Sequence, residues 1–178
     1  MSWEQYDRPV VVPDEAAIAR YWGDLRARMK ATYAAPRATT WGTAEGTGWH
    51  PWVDDHPETV AFGTTPEEVD DEVALLSGRV KTAWSRPKVF FDGIGPERTV
   101  GDIALVLGRD GRPALAVTVD AVSVARFGDV TEEYAEAEAL GDFTLADWRA
   151  VTNARFAAET GLELRDDDLL YLLRISVV

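Results

Sequence analysis

The chain has 178 residues, a formal net charge of −13, 46% apolar residues and no cysteine. This length and composition are typical of one globular domain, and the absence of thiols excludes disulfides, cysteine nucleophiles and thiolate metal sites. The excess of acidic residues argues against a broad basic face that grips nucleic-acid phosphates. Because His50 and His56 are the only histidines, we predict no metal site and no cofactor. The sequence shows neither an apolar signal core nor an 18-residue apolar run, which favours a cytoplasmic location.

Residues 14–33 are predicted to form a helix, because apolar side chains recur there every three or four residues. This stripe, which should face the core, consists of Ile18, Trp22, Leu25, Met29 and Tyr33. Residues 34–57 are rich in glycine and proline and are predicted to be a loop. The loop from Trp41 to Trp52 either packs on the core or binds a ligand or protein partner. We therefore expect residues 1–57 to be a helix and an aromatic loop packed on a main domain of residues 58–178.

A second helix is predicted over residues 66–77. Thr65 is a suitable N-cap, Pro66 suits the first helical position, and Glu68 would close a capping box. Gly78 should end the helix in the left-handed conformation.

The stretch that follows this helix, residues 78–91, is basic although the chain is acidic. It contains no acidic residue and four basic ones, namely Arg79, Lys81, Arg86 and Lys88. This pattern indicates either an exposed strand with solvated ends or the rim of a pocket for a polar or anionic ligand.

Most of the later elements are predicted to be strands of one sheet. A strand should begin near Val80, and an Asp-Gly turn should join residues 103–107 to a long strand over residues 114–127 that bends midway. Residues 169–178 are apolar on both faces and should form a central strand. Two further helices are predicted over residues 131–138 and 145–159, the second capped by Thr144.

Several short motifs of this region occur in a familiar order. They are Gly78-x-x-Lys81-Thr82-Ala83, Gly101-Asp102, Phe127-Gly128-Asp129-Val130, Ala135-x-x-Glu138 and Gly141-Asp142-x-x-Leu145-x-x-Trp148-Arg149. Over about residues 59–178 the chain resembles the ASCH domain family of the PUA-like superfamily. The resemblance implies an α+β fold, with a small, partly closed β-barrel and helices packed outside it. It also implies a cleft associated with RNA or modified nucleosides.

Some members of this family are amidohydrolases that remove the acetyl group from acetylated cytidine, and others have been linked to ribonuclease activity. The amidohydrolases use a lysine, a threonine three residues later and a distant glutamate. The resemblance matches Lys81 to the lysine and Glu138 to the glutamate, but Trp84 stands at the threonine position. On a regular strand Thr82 would share the face of Trp84 and Ser85 would point the opposite way, so neither hydroxyl is expected to replace the threonine. Lys81 and Glu138 are then either a catalytic pair acting on water or a structural ion pair.

The sequence therefore predicts a binding domain for RNA, a nucleobase or a nucleoside that lacks the deacetylase chemistry. One alternative is a hydrolase of acylated nucleosides or RNA that uses Lys81 and Glu138, and another is a protein-interaction module that uses the Trp41–Trp52 loop. The candidate ligand-binding residues are Thr82, Trp84, Ser85, Arg86, Asp102 and Trp148.

Overall fold

The computed structural model of the chain describes residues 11–33, 58–88, 99–138 and 144–178. The helices are α1 (Glu15–Tyr33), α2 (Pro66–Ser77), α3 (Glu132–Glu138) and α4 (Leu145–Thr160). The strands are β1 (Glu58–Val60), β2 (Ala83–Pro87), β3 (Ile103–Leu107), β4 (Pro113–Arg126) and β5 (Leu169–Val177). The Trp41–Trp52 loop lies outside the described residues. Within the described part of the chain, no helix has the length and apolar character needed to cross a membrane.

The five strands form one mixed sheet in the order β1-β3-β4-β5-β2. β1 runs parallel to β3, and the other neighbours are antiparallel. The sheet curves into a half-barrel with helices packed against it, so the predicted α+β fold and the central position of β5 are confirmed. β1 was not predicted, because a strand of three residues is too short to show an alternating pattern.

The long strand β4 bends as the sequence predicts. Its first half pairs with β3 and its second half with β5, and the register shifts between Val119 and Ala121. Such a bulge increases the local twist and curvature of a sheet. The bend therefore helps to bring the two edge strands, β1 and β2, toward each other.

Helix α1 packs on the outer side of the β3–β4 hairpin through its predicted apolar stripe. Ile18, Trp22 and Leu25 are buried in one cluster with side chains of β3 and β4. The segment before the helix is tied to the hairpin turn, where the Asp14 main-chain N–H donates to the Gly111 carbonyl oxygen at 2.9 Å. The predicted core-facing role is thus confirmed for these three residues and for Met29, which packs against the same cluster, whereas the side chain of Tyr33 lies outside the described part of the chain.

The hairpin turn at Gly111 leads to a first prediction. Gly111 has a φ of 77°, and a Cβ at this position would overlap the main-chain oxygen of Val12. We expect Gly111→Ala to lower the free energy of unfolding by more than about 1 kcal/mol, because both the turn and its contact must shift. Gly23→Ala is the matched control, since a Cβ there meets open space. Urea denaturation measures both variants, and wild-type stability of Gly111→Ala would contradict the prediction.

Two helices begin at the threonines that the sequence predicts as caps. Thr65 accepts a hydrogen bond from the Glu68 main-chain N–H at 3.2 Å, but the Glu68 carboxylate accepts from Thr64 instead of closing the box on Thr65. In α4 the reciprocal pair of Thr144 and Asp147 is complete. The first capping box is therefore shifted by one residue from the prediction.

The end of α2 differs from the prediction. Gly78 has a right-handed φ of −75°, and the left-handed residue is Arg79, with a φ of 58°. The Val80 main-chain N–H donates back to the Leu75 carbonyl oxygen at 2.9 Å, which is the bond that closes a Schellman motif. Because the Lys81 main-chain N–H also donates to the Leu75 carbonyl oxygen, at 3.2 Å, residues 79–81 belong to the helix end, and β2 begins at Ala83 and not near Val80.

Candidate functional site

A cavity of about 230 Å³ lies between the two edge strands of the half-barrel and helix α4. Its wall comes from three parts of the chain: residues 60–64 at and after β1, Lys81 with residues 84–87 of β2, and side chains on α3 and α4. The helical contributions are Glu138, Thr152, Arg155 and Phe156. The cavity therefore forms at the seam that the half-barrel leaves open.

The Glu138 carboxylate is fixed by donors on two sides. The Trp148 indole Nε1 donates to Oε2 at 2.8 Å, and the Ser85 main-chain N–H donates to Oε1 at 3.0 Å. The Ser85 hydroxyl lies 3.0 Å from Oε1 and 2.9 Å from Oε2. Glu138 is 4% exposed and Trp148 is 0% exposed, so this carboxylate is held in one orientation at the cavity wall by donors that include a fully buried indole.

Lys81 enters the cavity wall from the end of α2. Its Nζ lies 3.1 Å from Oε2 of Glu72 and donates to the main-chain carbonyl oxygen of Glu138 at 2.8 Å. The suggested ion pair between Lys81 and the Glu138 carboxylate is therefore absent, and that prediction is wrong. The Glu138 carboxylate is turned toward Ser85 and Trp148, and Glu72 provides the counter-charge for Lys81, which is 2% exposed.

Glu72 and Arg155 are site residues that sequence reasoning missed. Arg155 Nη2 lies 3.2 Å from Oε1 of Glu72, so two cations share one buried carboxylate. The sequence did hold a signal, because Glu72 follows Val69 by three residues and precedes Leu76 by four, and thus lies on the buried stripe of α2. A charge on an apolar stripe needs a partner, and here Lys81 and Arg155 fill that role.

Trp84 and Arg86 form the part of the wall next to β1. Trp84 is 8% exposed, and Phe62 packs against it edge to face with ring centres 5.0 Å apart. The Arg86 guanidinium carbon lies 5.0 Å from the centre of the Trp84 ring. Arg86 also approaches Glu58 of β1, with Nη1 3.5 Å from Oε1. Arg86 therefore bridges the seam at the rim of the cavity.

Ser85 points to the opposite face of β2 from Trp84, as strand alternation predicts, but it still borders the site. Ser85 and Trp84 both line the cavity, because β2 is an edge strand and the cavity extends around its free edge. The side chain of Ser85 faces α3 and α4, whereas Trp84 packs in the core of the half-barrel.

Two candidate residues, Thr82 and Asp102, have structural contacts away from the cavity wall. The main chain of Thr82 bonds to Ala137 and Ile175 at 2.8 and 3.0 Å, which anchors the start of β2. The Asp102 carboxylate accepts from the main-chain N–H and the hydroxyl of Thr99 at 2.8 and 2.9 Å, which stabilises the turn before β3. Of the ligand-binding candidates, the structure thus brings Trp84, Ser85 and Arg86 together in the wall, with Trp148 behind them.

Tyr134 lies close to the Glu138 carboxylate but is not available as a base. Burial, and then the negative charge of Glu138, raise the pKa of Tyr134 far above its usual range. Its hydroxyl donates to the Leu173 carbonyl oxygen at 3.2 Å and accepts from the Leu173 main-chain N–H at 3.1 Å. Tyr134 therefore remains neutral and joins α3 to β5.

The model of the ASCH domain family matches residues 58–178. The chain belongs to the ASCH domain family. Among solved structures, an ASCH domain from Lactobacillus crispatus is similar at 25% identity and a TM-score of 0.63, over 67% of this chain and 78% of that one. Protein EF3133 from Enterococcus faecalis is similar in fold at 21% identity and a TM-score of 0.61, over 69% of this chain and 77% of that one. Curated proteins give no match.

Proposed function

We propose that the cavity binds one base of an RNA or a nucleoside-like small molecule, without the deacetylase chemistry of some relatives. ASCH domains are generally thought to bind RNA. The observation that carries the proposal is the composition of the cavity wall, in which the aromatic rings of Phe62 and Trp84 stand beside the polar groups of Ser85 and Arg155. Bases are commonly held by stacking on aromatic or guanidinium groups together with a few hydrogen bonds.

The size of the cavity supports a single base. Pockets for drug-sized ligands are roughly 300–1,000 Å³, and this cavity is smaller, at about 230 Å³. An RNA would therefore place one base inside, and the rest of the strand would lie outside the seam.

Charge supports recognition of the base over recognition of phosphate. The chain has a net charge of −13. The cations of the cavity wall lie beside carboxylates, with Arg86 near Glu58 and Lys81 near Glu72. Phosphate contacts normally supply most of the salt-dependent affinity for nucleic acids. We therefore expect stacking and hydrogen bonds to dominate binding here.

Binding can be tested by isothermal titration calorimetry with the four ribonucleosides and short single-stranded RNAs. Thr152 lines the cavity on α4, so Thr152→Trp should fill it and weaken binding at least about tenfold, a loss of about 1.4 kcal/mol. Ala154→Trp is the matched control, because Ala154 is exposed on the same helix. Affinity of the wild type should change little with salt concentration.

Two results would contradict the proposal. One is the absence of binding to any of these ligands, and the other is unchanged binding by Thr152→Trp. A steep loss of affinity with added salt would instead indicate contacts that follow the phosphate backbone.

The alternative of hydrolysis by Lys81 and Glu138 is supported by the finding that both residues line one cavity. Two observations favour binding. Position 84 has an indole where the amidohydrolases have a threonine, and Lys81 is occupied by Glu72 and by the Glu138 main chain. The alternative of a protein-binding Trp41–Trp52 loop concerns residues outside the described segments.

A further inference from the structure

We propose that the second half of β4 is a self-association surface, through which two copies of this chain pair antiparallel into one continuous sheet. This inference goes beyond the proposed binding function and does not depend on it. It rests on an open strand edge, residues 120–126, whose sequence is complementary to itself in the antiparallel direction.

The open edge is the side of β4 that faces away from β5. Strand β3 pairs with the first half of β4 only. Val119 is the last residue covered on this side, because its N–H donates to the Asp102 carbonyl oxygen at 2.9 Å and its carbonyl oxygen accepts from the Gly101 N–H at 2.8 Å. A 3-10 helix, Phe127–Asp129, follows β4 directly. Among the described residues, β4 therefore pairs with β5 alone over residues 120–126.

The main chain of the open edge offers hydrogen-bonding groups to another strand. The Phe127 N–H donates to the Asp168 carbonyl oxygen at 2.8 Å and continues the register with β5. In an antiparallel ladder the bonds to one neighbour recur at every second residue. The main-chain groups of Val122, Val124 and Arg126 therefore point away from β5 and toward the open edge. Unpaired groups of this kind are a template for a further strand.

The open edge lacks the side chains that usually prevent strands from pairing. Exposed edges are commonly protected by lysine, by proline or by a charge that points inward. Residues 121–125 read Ala-Val-Ser-Val-Ala and contain none of these. Ser123 and Val124 are both exposed, and Val124 retains 49% of its accessible surface. The bulge between Val119 and Ala121 lies at one end of the edge and leaves the following residues in regular register with β5.

The uncharged part of the edge matches a second copy residue by residue. If Ser123 lies on a two-fold axis, Val122 lies opposite Val124 of the second copy, and Ala121 lies opposite Ala125 of that copy. A two-fold axis perpendicular to the sheet keeps each side chain on its own face, so the valines meet on one face and the alanines on the other. The valine pairs fall where the main-chain groups point outward, as a hydrogen-bonded pair requires.

The two ends of the edge carry opposite charges. Asp120 precedes the uncharged residues, Arg126 follows them, and both are exposed. In the two-fold pair each Asp120 lies opposite Arg126 of the second copy. Because Asp120 is the extra residue of the bulge, the longer arginine side chain makes the approach. Exposed ion pairs contribute little affinity, so these two mainly select the direction and register of the strands.

The extent of the match favours a second copy over an unrelated peptide. The self-complementary segment, residues 120–126, has the same bounds as the part of β4 that β3 and the turn before it leave open. The cavity lies at β2, on the far side of β5 from this edge. Pairing through β4 therefore leaves the cavity of each copy accessible.

Cross-linking tests the geometry directly, because the chain has no cysteine. Ser123 would meet Ser123 of the second copy at a non-hydrogen-bonded position, where Cα atoms are about 4.5 Å apart and within disulfide range. Under mild oxidation, Ser123→Cys should form a covalent dimer at least about tenfold faster than Ser77→Cys. Ser77 is the matched control, since it is an exposed serine at the end of α2. Equal rates for the two variants would overturn the proposal.

Sedimentation velocity of the full chain measures the association itself. A single pair of strands is a small interface, so we expect dimers with a dissociation constant of about 10–100 μM. Val124→Lys places a charge in the pair and should weaken association at least about tenfold. Leu162→Lys is the matched control, because Leu162 is also apolar and exposed, at 65%, but lies after α4. Nucleoside affinity should be the same for both variants, since neither residue lines the cavity.

Charge reversal gives a second reading that does not depend on Val124. Asp120→Arg alone and Arg126→Asp alone each place like charges opposite one another, so each variant should associate more weakly than the wild type. An equimolar mixture of the two variants should recover association, because every charged position then faces its opposite.

Three results would overturn the proposal. They are a wild type that remains monomeric up to about 300 μM, well above the expected dissociation constant, association that Val124→Lys leaves unchanged, and a mixture of the charge variants that associates no better than either alone. A monomer that binds nucleosides would overturn this inference and leave the proposed binding function intact.

Discussion

Replacing Lys81 with methionine is expected to lower the free energy of unfolding by about 3 kcal/mol, because it removes the more buried of the two cations that face the Glu72 carboxylate and also removes the donor to the Glu138 main-chain oxygen. Lys81 is 2% exposed and its Nζ lies 3.1 Å from the carboxylate of Glu72. Arg155 alone would then face this carboxylate from the cavity side. Chemical denaturation monitored by tryptophan fluorescence measures the loss.

The control is an ion pair between a basic and an acidic side chain that are both exposed to solvent. Arg109 lies 3.2 Å from Asp70 with both side chains more than half exposed, so Arg109→Met should change stability by less than about 1 kcal/mol. The double variant Lys81→Met/Glu72→Met should recover most of the loss, because an apolar pair can replace a buried ion pair. A loss for Lys81→Met no larger than that for Arg109→Met would show that the Lys81–Glu72 pair is not a major element of stability.

Glu138→Gln is expected to lower the free energy of unfolding by about 2–4 kcal/mol, although the side chain keeps its shape. Two N–H donors approach different carboxylate oxygens, the Ser85 main chain at Oε1 and the Trp148 indole at Oε2. A glutamine has one oxygen and one NH2 group, so one of these donors must face another donor in a buried site. The amide is therefore not a neutral substitute for this carboxylate.

A double-mutant cycle separates this cause from general loss of packing. In the Trp148→Phe background the indole donor is absent, so the additional cost of Glu138→Gln should be clearly smaller than in the wild type. Glu133→Gln is the control on the same helix, because the exposed Glu133 carboxylate pairs with Arg174. This substitution should lower the free energy of unfolding by less than about 1 kcal/mol. Equal costs of Glu138→Gln in the two backgrounds would contradict the proposed donor conflict.

The local sequence determined most of the secondary structure. The stripe of Ile18, Trp22 and Leu25 specified both a helix and its buried face, because apolar spacing of three and four residues places side chains on one side of a helix. The Asp110-Gly111 turn and the largely apolar β5 similarly specified a hairpin and a central strand. β1 was missed because its three residues become a strand only by pairing with β3, which lies more than 40 residues further along the chain.

The candidate site was predictable only in part. The ASCH resemblance placed Lys81, Trp84 and Glu138 at one site, and the structure brings all three into one cavity wall. It did not show which carboxylate balances Lys81. Glu72 carried a local signal, as a charge on an apolar stripe, but its partners come from the segment before β2 and from α4.

The sequence by itself determined the helices and most of the strands, because periodicity and caps act over a few neighbouring residues, and its short motifs indicated the family. The strand β1, which forms one side of the site, was not determined in this way. Tertiary structure alone decided the role of Ser85. Strand alternation assigned its face correctly relative to Trp84, but only the position of β2 at the edge of the sheet let a cavity reach both faces. The orientation of Glu138 toward Ser85 depends on Trp148, ten residues away on another helix. Such a contact depends on how two helices pack on one strand, which the spacing of residues does not encode.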